Sequence, residues 1–307
     1  MANVQGSTFL LSAADVSWGR RERTCVDVTV AASSLDAKYF TMDAPASHGG
    51  TSAEFYVWFD LDGTSVDPAP AGKTGIEVSV TTGETAEQVA SAMATAIDAN
   101  ANFRASVDSS DSSQVIIDTE YFGKIDAVTT DVDTTFSIVQ IVSGLGGDLG
   151  KTSGGVEVSM EATSVQVQAD QTGNLVLDEV FTGSSVEVTM SLLEMTPARW
   201  ETVVASVTGD SHTPAGGTKL VGYGESRLYQ SFFDLGGQLI LHPTRKDATD
   251  REFDINLWKC VPKPQSINFS GEEPQTMEVT FTALADREVQ EEINLMAFGD
   301  GEQDVRA

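Results

Sequence analysis

The 307-residue chain is 40% hydrophobic and 21% charged, long enough for two domains and a sizeable core. Eighteen Lys and Arg against 46 Asp and Glu leave a net charge of −28 and a pI near 4.2, which excludes a broad basic face of the kind that grips nucleic acid or anionic membrane. Cys25 and Cys260 make neither a disulfide framework nor a zinc site, the N-terminal residues lack the basic and apolar regions of a secretory signal, and no apolar run approaches the ~20 residues of a membrane helix.

From residue 36 the composition shifts. Residues 36–146 hold Lys38, Lys73, Arg104 and Lys124 against 17 acids, a net of −13, while the remainder, with 14 bases and 29 acids, carries −15 over nearly twice the length. Gly- and Pro-rich joints flank this stretch at Asp43–Gly50 and Ser143–Gly150, which predicts an inserted α+β module. Within it the pattern predicts strands at Phe55–Asp60 and Ile76–Val80, then a helix over 85–98. That helix has Val89, Met93, Ala96 and Ile97 on one stripe, and Thr85 with Gln88 forms a capping box. Strands follow near Phe103–Val107, Gln114–Asp118 and Phe136–Val142.

Beyond the module, period-2 alternation dominates. Val156, Val158, Met160 and Ala162 share one face of a strand and Glu157, Ser159 and Glu161 the other, and the run continues through Ser164–Ala169. Ser185–Met190, Phe253–Leu257 and Thr276–Ala283 alternate in the same way, as strands with one apolar and one wet face do. A second helix is predicted over Thr196–Ala205, with Thr196 as N-cap, Pro197 at its first position and Trp200, Val203 and Val204 inward. Residues 287–307 are polar and predict a C-terminal arm.

Motifs that resemble catalytic sites lack their context. Phe59-Asp-Leu-Asp-Gly-Thr64 resembles the opening motif of haloacid-dehalogenase-type phosphatases, but Ser65–Gly72 carries Pro68 and Pro70 and cannot form the helix that chemistry needs, so an acidic turn after a buried strand is the better reading. Asp60, Asp62 and Asp67 lack the spacing of a calcium loop. Gly144–Thr152 nearly spells a phosphate-binding loop, yet the spacing is wrong and a strand follows in place of a helix. His48, His212 and His242 have no acid or Cys at ligand spacing and read as loop or surface imidazoles, and Cys25 and Cys260 as buried, inert thiols. The sequence predicts no enzyme active site, no cofactor and no metal.

From Gly155 onward the order of features is distinctive. Alternating strands lead into Asp170–Asp178, then Phe181-Thr-Gly183, the strand Val186–Met190 and the helix within Leu192–Val204. Leu239–Pro243, Phe253–Pro262 and Gln275–Asp286 follow. This order resembles the major tail tube proteins of tailed bacteriophages, with Ala14–Gly19 and Cys25–Ala31 as the start of the same domain. The resemblance implies a mainly β fold: a tail-tube β-sandwich or barrel with one helix in residues 1–35 and 147–286, and the 36–146 α+β domain inserted on the tube exterior. It implies no enzyme but a structural virion protein, assembled in the host bacterial cytoplasm. Homohexameric rings would stack into the tube that conducts the genome from capsid to host. The partners implied are further copies of the chain, tail terminator and tail-tip or baseplate proteins, a tape measure protein in the lumen, and viral DNA passing without specific binding.

The residues fit that physics. Four alternating strands from each of six subunits, at ~4.8 Å spacing and ~40° tilt, circle at a diameter of roughly 45–50 Å. DNA carries one charge per ~1.7 Å of axis, so a polar, acidic bore lets it slide where a basic one would hold it. The lumen candidates are Glu157, Ser159, Glu161, Gln166, Gln168, Glu187, Thr189, Glu278, Thr280 and Thr282. The other reading of each is an ordinary solvated strand face. An outward module would obstruct a contractile sheath, which favours a long non-contractile, siphovirus-like tail. The competing function is a carbohydrate- or surface-binding β-sandwich adhesin, with the module as its binding part and an exposed aromatic platform as its mark.

Overall fold

The computed structural model describes residues 13–28, 35–45, 52–123, 125, 129–130, 136–168, 176–194, 196–205, 211–212, 214, 217–218, 220–247, 250–269, 271, 274–287 and 289–301. The chain divides into two compact units, Gly19–Gly147 and a second made of Met1–Trp18 with Asp148–Ala307. Strand β1 is Ala14–Arg20, β2 Arg23–Asp27, β3 Tyr39–Ala44, β4 Ala53–Leu61 and β5 Thr74–Val80; helix α1 is Ala86–Asp98. Then come β6 (Phe103–Val107), β7 (Gln114–Thr119), β8 (Thr129–Thr130), β9 (Ser137–Val142) and β10 (Leu145–Asp148). The long strands β11 (Thr152–Gln168) and β12 (Val176–Leu192) precede α2 (Pro197–Trp200), a π-helical turn (Glu201–Ala205), β13 (Ser211–His212) and β14 (Leu220–Val221). Helix α3 (Phe232–Leu235), β15 (Gly237–Pro243), β16 (Ile255–Asn268), β17 (Thr276–Ala283) and β18 (Ala297–Phe298) complete the chain, which is mainly β.

In the module, two four-stranded sheets, β6-β7-β2-β9 and β5-β4-β3-β8, bury Phe40, Phe55, Phe59, Val115 and Ile117 in one core with Val89, Met93 and Ile97 of α1. The capping box at Thr85 and Gln88 is present, with the Thr85 amide donating to Gln88 Oε1 at 2.9 Å and the Gln88 amide to Thr85 Oγ1 at 3.4 Å. The module begins earlier than composition indicates. Strand β2 pairs with β7 and β9, and Arg23 grips Asp118 through two bonds of 2.7 and 2.8 Å, so Cys25 and its neighbours fold with the module rather than with the outer domain. A charge count over a hundred residues does not register one five-residue strand.

The other unit is built on one wide sheet in the order β10-β1-β15-β16-β17-β12-β11, with β18 paired to β16. Trp18 is fully buried, tilts against Phe281 at 6.1 Å and donates its indole N–H to the Cys260 carbonyl at 3.3 Å. Three sequence expectations change here. The second helix starts at its Thr196 cap but tightens to four α-helical residues and then widens into the π turn, where the β-branched run Thr202, Val203 and Val204 crowds a regular helix. The near-phosphate loop is partly strand β10, and at Gly150 (φ +83°) a Cβ would meet the Arg199 guanidinium carbon at 2.5 Å. The polar tail, through Gly301, lies on its own chain: β18 pairs with Ile255 and Asn256, and Trp258 donates to the Ile293 carbonyl at 2.8 Å. Residues 302–307 lie outside the described residues.

Candidate functional site

Three adjacent strands, β17, β12 and β11, carry every lumen candidate. Register decides which of them share a face. Glu157 opposes Thr189, Ser159 opposes Glu187, and across the next pair Glu187 opposes Thr282, Thr189 opposes Thr280 and Ser191 opposes Glu278. With Glu161 opposite Ser185, eight of the ten candidates lie on one face of one sheet. Cross-strand bonds hold that face: Thr189 and Thr280 hydroxyls lie 3.2 Å apart, Thr282 donates to Glu187 Oε1 at 3.3 Å, and Ser266 donates to Glu278 Oε2 at 3.3 Å. Lys263, opposite Thr280, lies on the same face as the carboxylates of Glu157, Glu161, Glu187 and Glu278.

Gln166 departs from the set. Strand β11 alternates without a break from Val156 to Val167, so an even-numbered residue faces away from Glu157, Ser159 and Glu161. The polar and apolar sides exchange at Ser164, where β12 bulges by one residue at Thr182: Thr163 opposes Gly183 and Ser164 opposes Phe181. Gln168 pairs with Val176 at the strand end, and its side chain lies outside the described residues. In a run read only for polarity, a reversal of sides looks like continued alternation.

The opposite face of the same strands is apolar and packed at its root, where Val186, Val188, Met190, Leu192, Met277, Val279 and Phe281 are buried. Past Val186, however, β12 has no partner but β11 among the described residues, and the two strands run on as a ribbon exposed on both sides. Among the described residues the sheet does not close on itself: its path ends at β10 on one side and at β11, 17 residues long, on the other.

Elsewhere, the residues that resembled catalytic sites have structural partners. Asp60 Oδ1 accepts from the Ser65 amide at 2.9 Å, and Asp62 accepts from the Thr82 amide at 2.9 Å and the Thr82 hydroxyl at 2.7 Å, bonds that hold its carboxyl below the usual range. The Tyr56 hydroxyl donates to Asp67 at 2.7 Å, and its phenol is pushed up to about 12, by desolvation first and by that carboxylate next. No group of three metal-ligating side chains occurs among the described residues. Cys260 is fully buried and burial raises its thiol pKa far; Cys25 is half-buried rather than buried, and desolvation with nearby Asp108, Asp27 and Asp111 raises its thiol too. No described helix is long and apolar enough to cross a membrane.

Two buried carboxyls escaped the sequence reading. Asp254, 1% exposed, meets His242 Nδ1 at 2.6 Å, and burial raises its pKa against the lowering effect of that bond. Glu22, 2% exposed, lines a small pocket of the module with Thr24, Asp43 and Thr119, and desolvation raises its pKa. Neither had a local signal: His242 and Asp254 are twelve positions apart and meet only because β15 pairs with β16.

Compared with known proteins, the sequence matches no family model and no curated relative.

Proposed function

We propose that this chain is a structural subunit whose copies join through the open β11 edge into a closed ring, with the face bearing Glu157, Ser159, Glu161, Glu187, Thr189, Glu278, Thr280 and Thr282 turned to the bore. The observation that carries the proposal is that one face of β17, β12 and β11 is polar and acidic while, among the described residues, the outermost strand, 17 residues long, has no partner on its outer edge. An edge of that length invites pairing with another chain, and ring closure removes it. Six copies of four strands give a barrel wide enough for duplex DNA, in keeping with the resemblance to phage tail tube proteins. Four carboxylates per copy, on β11, β12 and β17, make a wall that repels DNA rather than binding it.

The adhesin reading loses its mark: among the described residues of the module, no aromatic ring is among the exposed large hydrophobics, and Trp58 is buried. Negative-stain microscopy of the purified full chain tests the proposal. Hollow rings or tubes are the expected result. A monodisperse monomer at high concentration, with no rings even beside a tail initiator, would overturn it.

A further inference from the structure

We propose that the module pocket lined by Glu22, Thr24 and Thr119 is a binding site for one monovalent cation, a sodium ion, held by Glu22 Oε2 and the two threonine hydroxyl oxygens. The site joins the two sheets of the module. Thr24 lies on β2 and Thr119 on β7, in one sheet, while Phe40, Met42 and Asp43 of β3 line the pocket from the other.

Hydrogen-bond accounting leads to a cation. Glu22, Thr24 and Thr119 are 2%, 3% and 4% exposed, so their polar atoms need partners inside the fold. Glu22 Oε1 accepts from the Thr24 hydroxyl at 3.3 Å, and the Gln140 side chain and the Gly144 amide also support the carboxyl. Glu22 Oε2 has no hydrogen-bond partner among the described residues. Thr119 Oγ1 accepts from the Glu22 amide at 3.0 Å and donates to the Tyr121 carbonyl at 2.9 Å. Both hydroxyl hydrogens are therefore committed, and the three residues offer the pocket oxygen lone pairs alone. A proton on Glu22 does not complete the set, because Oε2 has neither a donor nor an acceptor within hydrogen-bond reach among the described residues.

Charge points the same way. Glu22 forms no ion pair among the described residues. Of the arginines beside it in sequence, Arg23 is bound to Asp118 and Arg21 lies 3.9 Å from Glu120, while Asp43 acts on Glu22 as a like charge. A buried carboxylate without a counter-charge is costly, and a cation at Oε2 offsets that cost. Space and ligand number select the ion. The pocket admits about one particle of the size of water, and Phe40, Met42 and Ile117 give it apolar walls. Magnesium keeps several waters around it and calcium takes about six to eight oxygens, so neither is served here. Neither His nor Cys lines the pocket to hold a softer metal. One carboxylate facing one small space suits a single positive charge.

Scanning calorimetry of the full chain above neutral pH tests the site, with NaCl set against choline chloride at equal ionic strength so that screening is the same in both. The module's transition should stand about 3–5 °C higher in NaCl. Glu22→Gln, which has no buried charge to offset, should show no difference between the two salts. Thr24→Val, which keeps the shape of the side chain and removes its oxygen, should lose at least half of the difference. Equal wild-type transitions in the two salts, as water at Oε2 would give, would overturn the proposal, and so would an undiminished difference in Thr24→Val. A sodium response that persists in Glu22→Gln would overturn it too, since a chain of net charge −28 gathers cations over its surface without any site. CaCl2 in place of NaCl should give no rise that depends on Glu22; a larger one would overturn the assignment to a monovalent ion.

Discussion

In the module Gly19–Gly147, two sheets and a helix empty their apolar side chains into one core, and among the described residues Val66, Val139 and Ile141 are the large hydrophobics left exposed. In the second unit the root of the β11–β12 ribbon is packed just as well, yet its outer half leaves seven such side chains in water. Both regions follow the same alternating pattern of residues. What separates them is whether the chain supplies a partner for each face. The module covers its apolar faces within a single copy, and on the ring proposal other copies cover those of the ribbon.

The widest separation between the regions should come from truncating an aromatic in each. Phe59 is fully buried and tilts against Phe136 at 5.3 Å, so Phe59→Ala should cost about 3–5 kcal/mol in denaturant unfolding. Phe181→Ala, on the ribbon, should change monomer stability by less than ~0.5 kcal/mol. Equal losses would erase the distinction. Thr85→Ala removes the capping box of α1 and should cost about 1 kcal/mol, with the loss confined to the module's transition.

A pH series sharpens the same contrast. The folded pKa of Glu22 lies above its ordinary value because burial penalises the charge. Its stabilising contribution is therefore complete below the unfolded value and is lost as pH rises through the raised one. Glu22→Gln, which keeps a hydrogen-bonding side chain, should flatten the module's stability above pH 4.5 and raise it near neutrality; a variant with the wild-type pH slope would show that Glu22 is not its source. The smallest effect on stability belongs to the polar face. Glu157→Lys with Glu161→Lys should leave unfolding within ~0.5 kcal/mol and assembly intact, while slowing DNA release from assembled particles. Unchanged release kinetics would separate this face from the bore.

Local chemistry was legible in the sequence, and pairing was not. The Thr85 box, the Thr196 cap and the strands Phe103–Val107 and Thr276–Ala283 follow from contiguous residues and stand at the same bounds. Eight of the ten lumen candidates share one face because alternation fixes sides within a strand. Gln166 fails because the sides exchange at Ser164 without a break in the alternation of β11, and the bulge at Thr182 that accompanies the exchange lies on the partner strand. Strand β2 and the His242–Asp254 contact depend on which distant segment lies alongside, information that no window of residues contains.

Hydrogen exchange along Thr152–Gln168 tests most directly whether another copy completes the sheet. In dilute monomer the edge-facing amides of β11 should exchange fast, as unpaired groups do. In concentrated, assembled protein the same amides should become protected to the degree seen in β17. Exchange on β11 that stays equally fast in both states would contradict a ring closed through this edge.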